Sequence, residues 1–104
     1  MEKEFVLQKI KNAVTETHAN AKIILYGSRA RGTENKDSDW DILVLLNKPE
    51  VAFVEEQKIR HNLYDIELEL GEPISTFVYS QTDWNTKMSV TPLYKSIQQE
   101  GILL

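Results

Sequence analysis

Two short, largely apolar runs, Ala21 to Tyr26 and Trp40 to Leu46, constrain this chain more than any other feature. Both are rich in Ile and Leu, and both stop at turn chemistry: the first at Gly27, the second at Asn47-Lys48-Pro49. Runs of that length bounded by such residues read as buried strands. Between them lies a glycine-bracketed polar stretch with Thr33, Glu34, Asn35, Lys36 and Asp37, which is loop chemistry. The second strand is therefore expected beside the first, joined by that loop.

The rest of the chain supplies helices to cover these strands. Val6, Ile10, Ala13, Val14 and Thr17 recur at helical spacing, predicting a first helix from about Lys3 to His18. From Val51 to Leu70, Ala52, Ile59, Leu63, Ile66 and Leu70 keep one helical face, with Gly71 as C-terminal cap and Pro73 beyond. Asp65 to Leu70 also alternates like a strand, but the upstream period runs through it and favours helix. Ile74 to Tyr79 reads as a third strand. Ser80 with Asp83 signals a short helix around Trp84, and Thr91-Pro92 starts another. The expected fold class is α/β or α+β, a small mixed sheet flanked by helices.

At 104 residues there is room for one core, so a single domain over residues 1–104 is expected. The 41% hydrophobic and 27% charged content suits a soluble globular protein. The central apolar run Ile42 to Leu46 is far too short to cross a bilayer, so no membrane role is expected. The start, Met-Glu-Lys-Glu-Phe, is mixed in charge and unlike a secretory signal. The absence of cysteine excludes disulfides, thiol catalysis and cysteine-ligated zinc, and cytoplasmic localisation is the default expectation. A net charge of −4 argues against direct nucleic-acid binding, which needs clustered Lys and Arg. A small phosphorylated ligand stays open, because Arg29 and Arg31 stand together beside a glycine.

The chemistry-bearing residues lie around the loop. Gly27-Ser28 running into Arg29-Ala30-Arg31 places a first helical turn directly after a glycine. Glycine permits close approach to the backbone, and free N–H groups of a first turn attract anions. The Ser28 hydroxyl can cap that turn or donate to a phosphate oxygen. Asp39 and Asp41 flank Trp40 at the start of the second strand, so alternation sets both carboxylates on one face and the indole on the other. Two carboxylates on one face repel unless a cation or hydrogen bonds compensate, and Mg²⁺ is the natural cation, since it takes oxygen ligands and shares them with substrate phosphates. The plainer alternative has one aspartate capping the loop and the other paired with Arg29, Arg31 or Lys36.

Gly27-Ser28-Arg29-Ala30-Arg31-Gly32-Thr33, followed by Asp37-Ser38-Asp39-Trp40-Asp41-Ile42, closely resembles the signature of the minimal nucleotidyltransferases of the DNA polymerase β superfamily. The resemblance extends loosely over nearly the whole chain. It implies a polymerase β-like nucleotidyltransferase fold, nucleotide binding by Gly27, Ser28 and Arg29, and Mg²⁺ binding by the catalytic pair Asp39 and Asp41. The implied reaction transfers a nucleotidyl group, AMP from ATP or its counterpart from another NTP, to a hydroxyl acceptor. The resemblance also implies a context, the antitoxin of a pair whose toxin is a helical HEPN-domain protein. Active members of that family use a third carboxylate on a later strand, and Ile74-Ser75-Thr76-Phe77-Val78-Tyr79 carries none. A second expectation follows: a catalytically weakened nucleotide-binding module that neutralises its partner by contact.

Of the remaining residues, His18 is expected at the C-terminal end of the first helix, favourably placed in the dipole. His61 is expected on a polar helix face, and Glu67 and Glu69 on a solvated one. Trp40 is expected in the core, because it alternates away from the aspartates. The apolar end Gly101-Ile102-Leu103-Leu104 suits docking onto the domain or onto another chain, as a homo- or hetero-oligomer.

Overall fold

A computed structural model describes residues 2–104. Its elements follow in the order α1 (Lys3–Thr15), β1 (Lys22–Tyr26), α2 (Ser28–Arg31), β2 (Trp40–Leu46), α3 (Phe53–Leu70), β3 (Ile74–Ser80), α4 (Gln81–Asn85), a 3₁₀ turn (Lys87–Val90), α5 (Pro92–Glu100) and β4 (Ile102–Leu103). The strands form one sheet in the order β3-β2-β1-β4. β1 runs antiparallel to β2 and β4, whereas β3 runs parallel to β2, so the sheet is mixed as expected.

β2 lies in the middle, and every residue from Ile42 to Leu46 is buried. Its side chains alternate between two cores. Trp40, Ile42, Val44 and Leu46 pack with Ile23, Leu25 and Val78 under α1 and α3. Leu43 and Leu45 pack with Tyr26, Trp84 and Ile97 under α4 and α5. Each fully buried aliphatic side chain contributes about 1.5–3 kcal/mol of hydrophobic stabilisation, so covering both faces matters for so short a chain. Among the described residues no helix is long and apolar enough to cross a membrane.

The helix boundaries follow local chemistry with one correction. α1 ends at Thr15, three residues before the expected His18. The His18 ring instead lies beyond the helix, with Nε2 3.2 Å from Glu55 Oε2 and Nδ1 2.9 Å from the Thr17 hydroxyl. Its partner is a carboxylate, not the helix dipole. The segment Asp65 to Leu70 is helical, and α3 ends where Gly71 adopts φ +68°, a left-handed conformation that only glycine takes freely. Ser80 accepts the Asp83 N–H and Thr91 accepts the Tyr94 N–H, so both short helices are capped as their sequences predict.

Glu67 and Glu69 also have partners. Glu67 accepts the Ile74 N–H at 2.7 Å, and Glu69 pairs with Lys9 at 3.0 Å. The chain end joins the sheet: β4 pairs with β1 at Ile24 and Leu25, and the Leu104 N–H donates to the Ile23 carbonyl.

Candidate nucleotide and metal site

The site is built where β1 hands over to α2 and where β2 begins. Tyr26, the last residue of β1, lies opposite Asp41 in the antiparallel register. The next residue, Gly27, turns the chain with φ +74° and ψ −159°, a region essentially reserved for glycine. Its carbonyl accepts the N–H groups of Ala30 and Arg31 at 3.0 and 3.1 Å. The N–H groups of Ser28 and Arg29 and the Ser28 hydroxyl have no partner among the described residues. The turn thus presents free donors next to the carboxylates, and Ser28 does not cap its own helix.

The glycine also answers a steric demand absent from local sequence logic. A Cβ on Gly27 would overlap Asp41 Oδ2 outright and stand 3.0 Å from its Cγ. The missing side chain makes room for the aspartate as well as for an incoming ligand.

Asp41 stands on the sheet face opposite Trp40, as alternation predicts, and Asp39, just before β2, is near enough for its charge to act on Asp41. Among the described residues neither carboxylate has a hydrogen-bond or ion-pair partner. Burial pushes the Asp41 carboxyl above its ordinary value; the charge of Asp39 adds to the rise, and Arg31 opposes it. The neighbouring Tyr26 phenol is pushed up to about 12 by its own burial, then by the charge of Asp41 and by Tyr79, so it stays protonated beside the carboxylate. This concentration of uncompensated negative charge suits a divalent cation. No cluster of three or more His, Cys, Asp or Glu side chains is available among the described residues, so a cation here would draw its other ligands from water and phosphate.

The arginines are committed elsewhere. Arg29 sends its guanidinium to the opposite face, where Nε and Nη2 donate to the Ser38 carbonyl at 3.1 and 2.9 Å. The group lies 4.2 Å from the centre of the Trp40 ring and 4.0 Å from Glu72, whose carboxylate also accepts the Trp40 indole N–H. Only the backbone of Arg29 remains at the turn. Arg31 reaches the far end of the chain and donates to Glu100 at 3.0 and 3.2 Å. Asp37 serves the loop, its N–H donating to Asn35 Oδ1.

Sequence reasoning did not find Glu100, Tyr26 or Ser75 as parts of this neighbourhood, and it allowed Glu72 to replace the missing carboxylate only if the topology brought it inward. Ser75 faces Asp41 in the parallel register, the only position of β3 directly beside it. Glu72 lies on the Trp40 side, so it does not join the aspartates. A concavity of about 200 Å³ lined by His18, Asn20, Leu46, Asn47 and Lys48 sits at the other end of β2.

A family profile described as nucleotidyltransferase domain matches residues 7–104. Several solved structures share the fold. One is a toxin–antitoxin with AMP-PNP, 20% identical, with a TM-score of 0.66 over 92% of this chain and 69% of that one. Another is the toxin–antitoxin MntA-HpeT carrying one Tyr-to-Ala change, 19% identical, with a TM-score of 0.63 over 94% and 70%. A third is MntA-HpeT with two Asp-to-Glu changes, 14% identical, with a TM-score of 0.60 over 99% and 72%. No curated protein sequence matches significantly.

Proposed function

Because the chain belongs to the nucleotidyltransferase domain family, we propose that it transfers AMP from ATP, with Mg²⁺, to a hydroxyl on a partner protein, as the antitoxin of a toxin–antitoxin pair. One observation carries this reading: two unneutralised carboxylates, Asp39 and Asp41, share a face with the free donors of the Gly27-Ser28 turn. Phosphates at the turn and a cation at the carboxylates would lie against each other, which is the arrangement nucleotidyl transfer requires. The fold shared with a toxin–antitoxin crystallised with AMP-PNP supports the choice of ligand and of partner class. A helical HEPN-domain toxin is the partner we propose, on the strength of the motif resemblance.

In this reading the Ser28 hydroxyl and the N–H groups of Ser28 and Arg29 hold triphosphate oxygens. Asp39 and Asp41 would hold Mg²⁺, which when bound would supply charge neutralisation to the phosphates. Arg29 acts through its guanidinium by fixing Ser38, and with it the approach to Asp39. The acceptor oxygen bonds to the α-phosphorus, the bond to the bridging oxygen of the β-phosphate breaks, and pyrophosphate leaves. The hydroxyl proton passes to water on the open face.

The absence of a carboxylate on β3 favours a second reading, a nucleotide-binding module that neutralises its partner by contact. Losing a positioned base lowers rates by about 10²–10⁴-fold, while binding can persist. Labelled ATP separates the two. Label from the α-phosphate, but not the γ-phosphate, should appear on the co-purified partner and vanish with Asp39→Asn and Asp41→Asn. Neutralisation that proceeds without label and survives both substitutions would sink the enzyme reading.

A further inference from the structure

Asp41 has two neighbours across the sheet, and they differ in what surrounds them. On one side is Tyr26 of β1, on the other Ser75 of β3. The β1 side is occupied. The Gly27-Ser28 turn follows Tyr26 directly, and the end of α5 closes over β1 so tightly that a Cβ on Gly101 would meet Ile24 Cγ2 at 2.8 Å. The pairing of Arg31 with Glu100 fastens that corner at 3.0 Å.

The β3 side is open. Ser75 is half-buried, and its hydroxyl has no partner among the described residues. Phe77, paired with Leu43, lies one step further along the same face and keeps 39% of its surface in solvent. Its register makes it the diagonal neighbour of Asp41, a position about 7–8 Å away in sheets generally and within reach of a ring. Phe77 is braced from behind. It stacks on Tyr79 with centroids 6.1 Å apart and planes 22° apart, Tyr79 packs on Trp84 at 5.9 Å, and Trp84 on Tyr94 at 5.1 Å. An exposed ring already held in place binds a flat or apolar partner with little further ordering.

Charge decides what that partner can be. β3 carries no Lys, Arg, Asp or Glu, and the arginines around it are engaged: Arg29 by Ser38, Arg31 by Glu100, and Arg60, which reaches the Thr76 carbonyl at 2.8 Å, by Glu56. A polyanionic acceptor such as a nucleic-acid end would find no unengaged arginine beside this strand and two carboxylates next to it.

Resting on the nucleotidyl-transfer reading, we infer that Ser75 and Phe77 form the floor of the acceptor subsite, which takes an uncharged hydroxyl compound presenting a flat or apolar face to Phe77. The acceptor oxygen approaches the α-phosphorus from the β3 side, and pyrophosphate departs toward the Gly27-Ser28 turn. The Ser75 hydroxyl, in register with Asp41, would hydrogen-bond the attacking oxygen.

The three phenylalanines, Phe5, Phe53 and Phe77, are all exposed, so two of them serve as internal controls. The whole chain is labelled with 4-fluorophenylalanine, Phe77→Leu assigns the Phe77 signal, and Mg-AMP-PNP is present throughout. Benzyl alcohol should shift the Phe77 fluorine signal saturably and leave Phe5 and Phe53 unmoved, whereas a short oligonucleotide with a free 3′ hydroxyl should leave all three unmoved. A saturable Phe77 shift with the oligonucleotide, or an equal drift of all three signals, overturns the subsite. With α-labelled ATP, Phe77→Ala should lower kcat/KM for benzyl alcohol about tenfold, as loss of an aromatic contact would. Its KM for Mg-ATP should stay within about twofold, since the turn is untouched. Equal kcat/KM in both proteins overturns the inference. Calorimetric titration with Mg-ATP distinguishes the failures: nucleotide bound with no Phe77 response removes the subsite alone, and no nucleotide binding removes the nucleotide site and the subsite together.

Discussion

Gly27→Ala is the most informative single perturbation, because two separate demands meet at that residue. The first is conformational. With φ +74° and ψ −159°, Gly27 occupies backbone space that a side chain enters at a cost of about 1–3 kcal/mol. The second is steric, since the new Cβ would overlap Asp41 Oδ2 and press on its Cγ at 3.0 Å. The carboxylate must swing away, so the substitution damages the metal position together with the fold. Gly32 provides the control. It has φ +78° with nothing within 4 Å of its would-be Cβ, so Gly32→Ala carries only left-handed strain, about 1–2 kcal/mol.

Both variants should melt lower than the parent, by about 4–8 °C for each kcal/mol lost in a chain of this size. Only Gly27→Ala should also lose the rise in melting temperature that Mg-ATP produces by binding the folded state. A double-mutant cycle isolates the clash. In an Asp41→Ala background the carboxylate is gone, so Gly27→Ala should be less damaging there than in the parent, while Gly32→Ala should be equally damaging in both. Additivity of Gly27→Ala with Asp41→Ala, or full Mg-ATP stabilisation of Gly27→Ala, would refute the close packing of glycine against aspartate.

Three further outcomes follow from the electrostatics. Burial and Asp39 hold the Asp41 carboxyl above its ordinary 3.8, so folding disfavours the ionised form, and its contribution to stability falls as pH rises from that value through the raised one. Asp41→Asn should therefore melt higher than the parent near neutral pH, converge with it below pH 3.8, and show no Mg-ATP response; a lower neutral melting temperature would contradict this. The Lys48 hydrogen bond, followed by the Ala52 N–H and His18, draws the Glu55 carboxyl from 4.5 down to about 2, so its stabilisation is present above 4.5 and lost as pH falls toward 2. Glu55→Gln should melt lower at neutral pH, and the gap should close across that window in a pH series of thermal scans. Glu72→Ala leaves the buried Trp40 N–H without its acceptor and should lose about 1–3 kcal/mol in urea unfolding. Glu72→Gln keeps an acceptor and should recover most of that loss, and an equal loss in both would point to the charge of Arg29 instead.

Much of the fold was legible because its signals are local. Trp40 to Leu46 is a strand with the expected limits, since burial on both faces leaves Ile42 to Leu46 apolar throughout. Ser80 and Thr91 cap their helices as read, because a cap needs only its own side chain and the N–H three residues on. Illegible features depend on partners far along the chain. α1 stops before His18, whose ring finds Glu55 across the sheet end. Ile102 and Leu103 join as an exposed edge strand through backbone bonds, which leave no periodic pattern. The parallel register that sets Ser75 beside Asp41 depends on how α3 packs back over the sheet, and no residue of β3 announces it.

The candidate site divides along the same line. Alternation was enough to put Asp41 on one face and Trp40 on the other, and that division proves to organise the electrostatics. The indole face gathers Arg29, Ser38 and Glu72 into a hydrogen-bonded cluster, and Glu100 draws Arg31 to the end of α5. Local charge counting would pair these arginines with the aspartates, because they are the nearest cations in sequence. Folding withdraws one to the far face and ties up the other with an acid 69 residues away. Neither aspartate therefore has an ion-pair partner among the described residues, and Arg31 acts on Asp41 through its charge alone. A cation-ready pair therefore requires the two aspartates and also two distant glutamates, which compete for the arginines that would otherwise neutralise them.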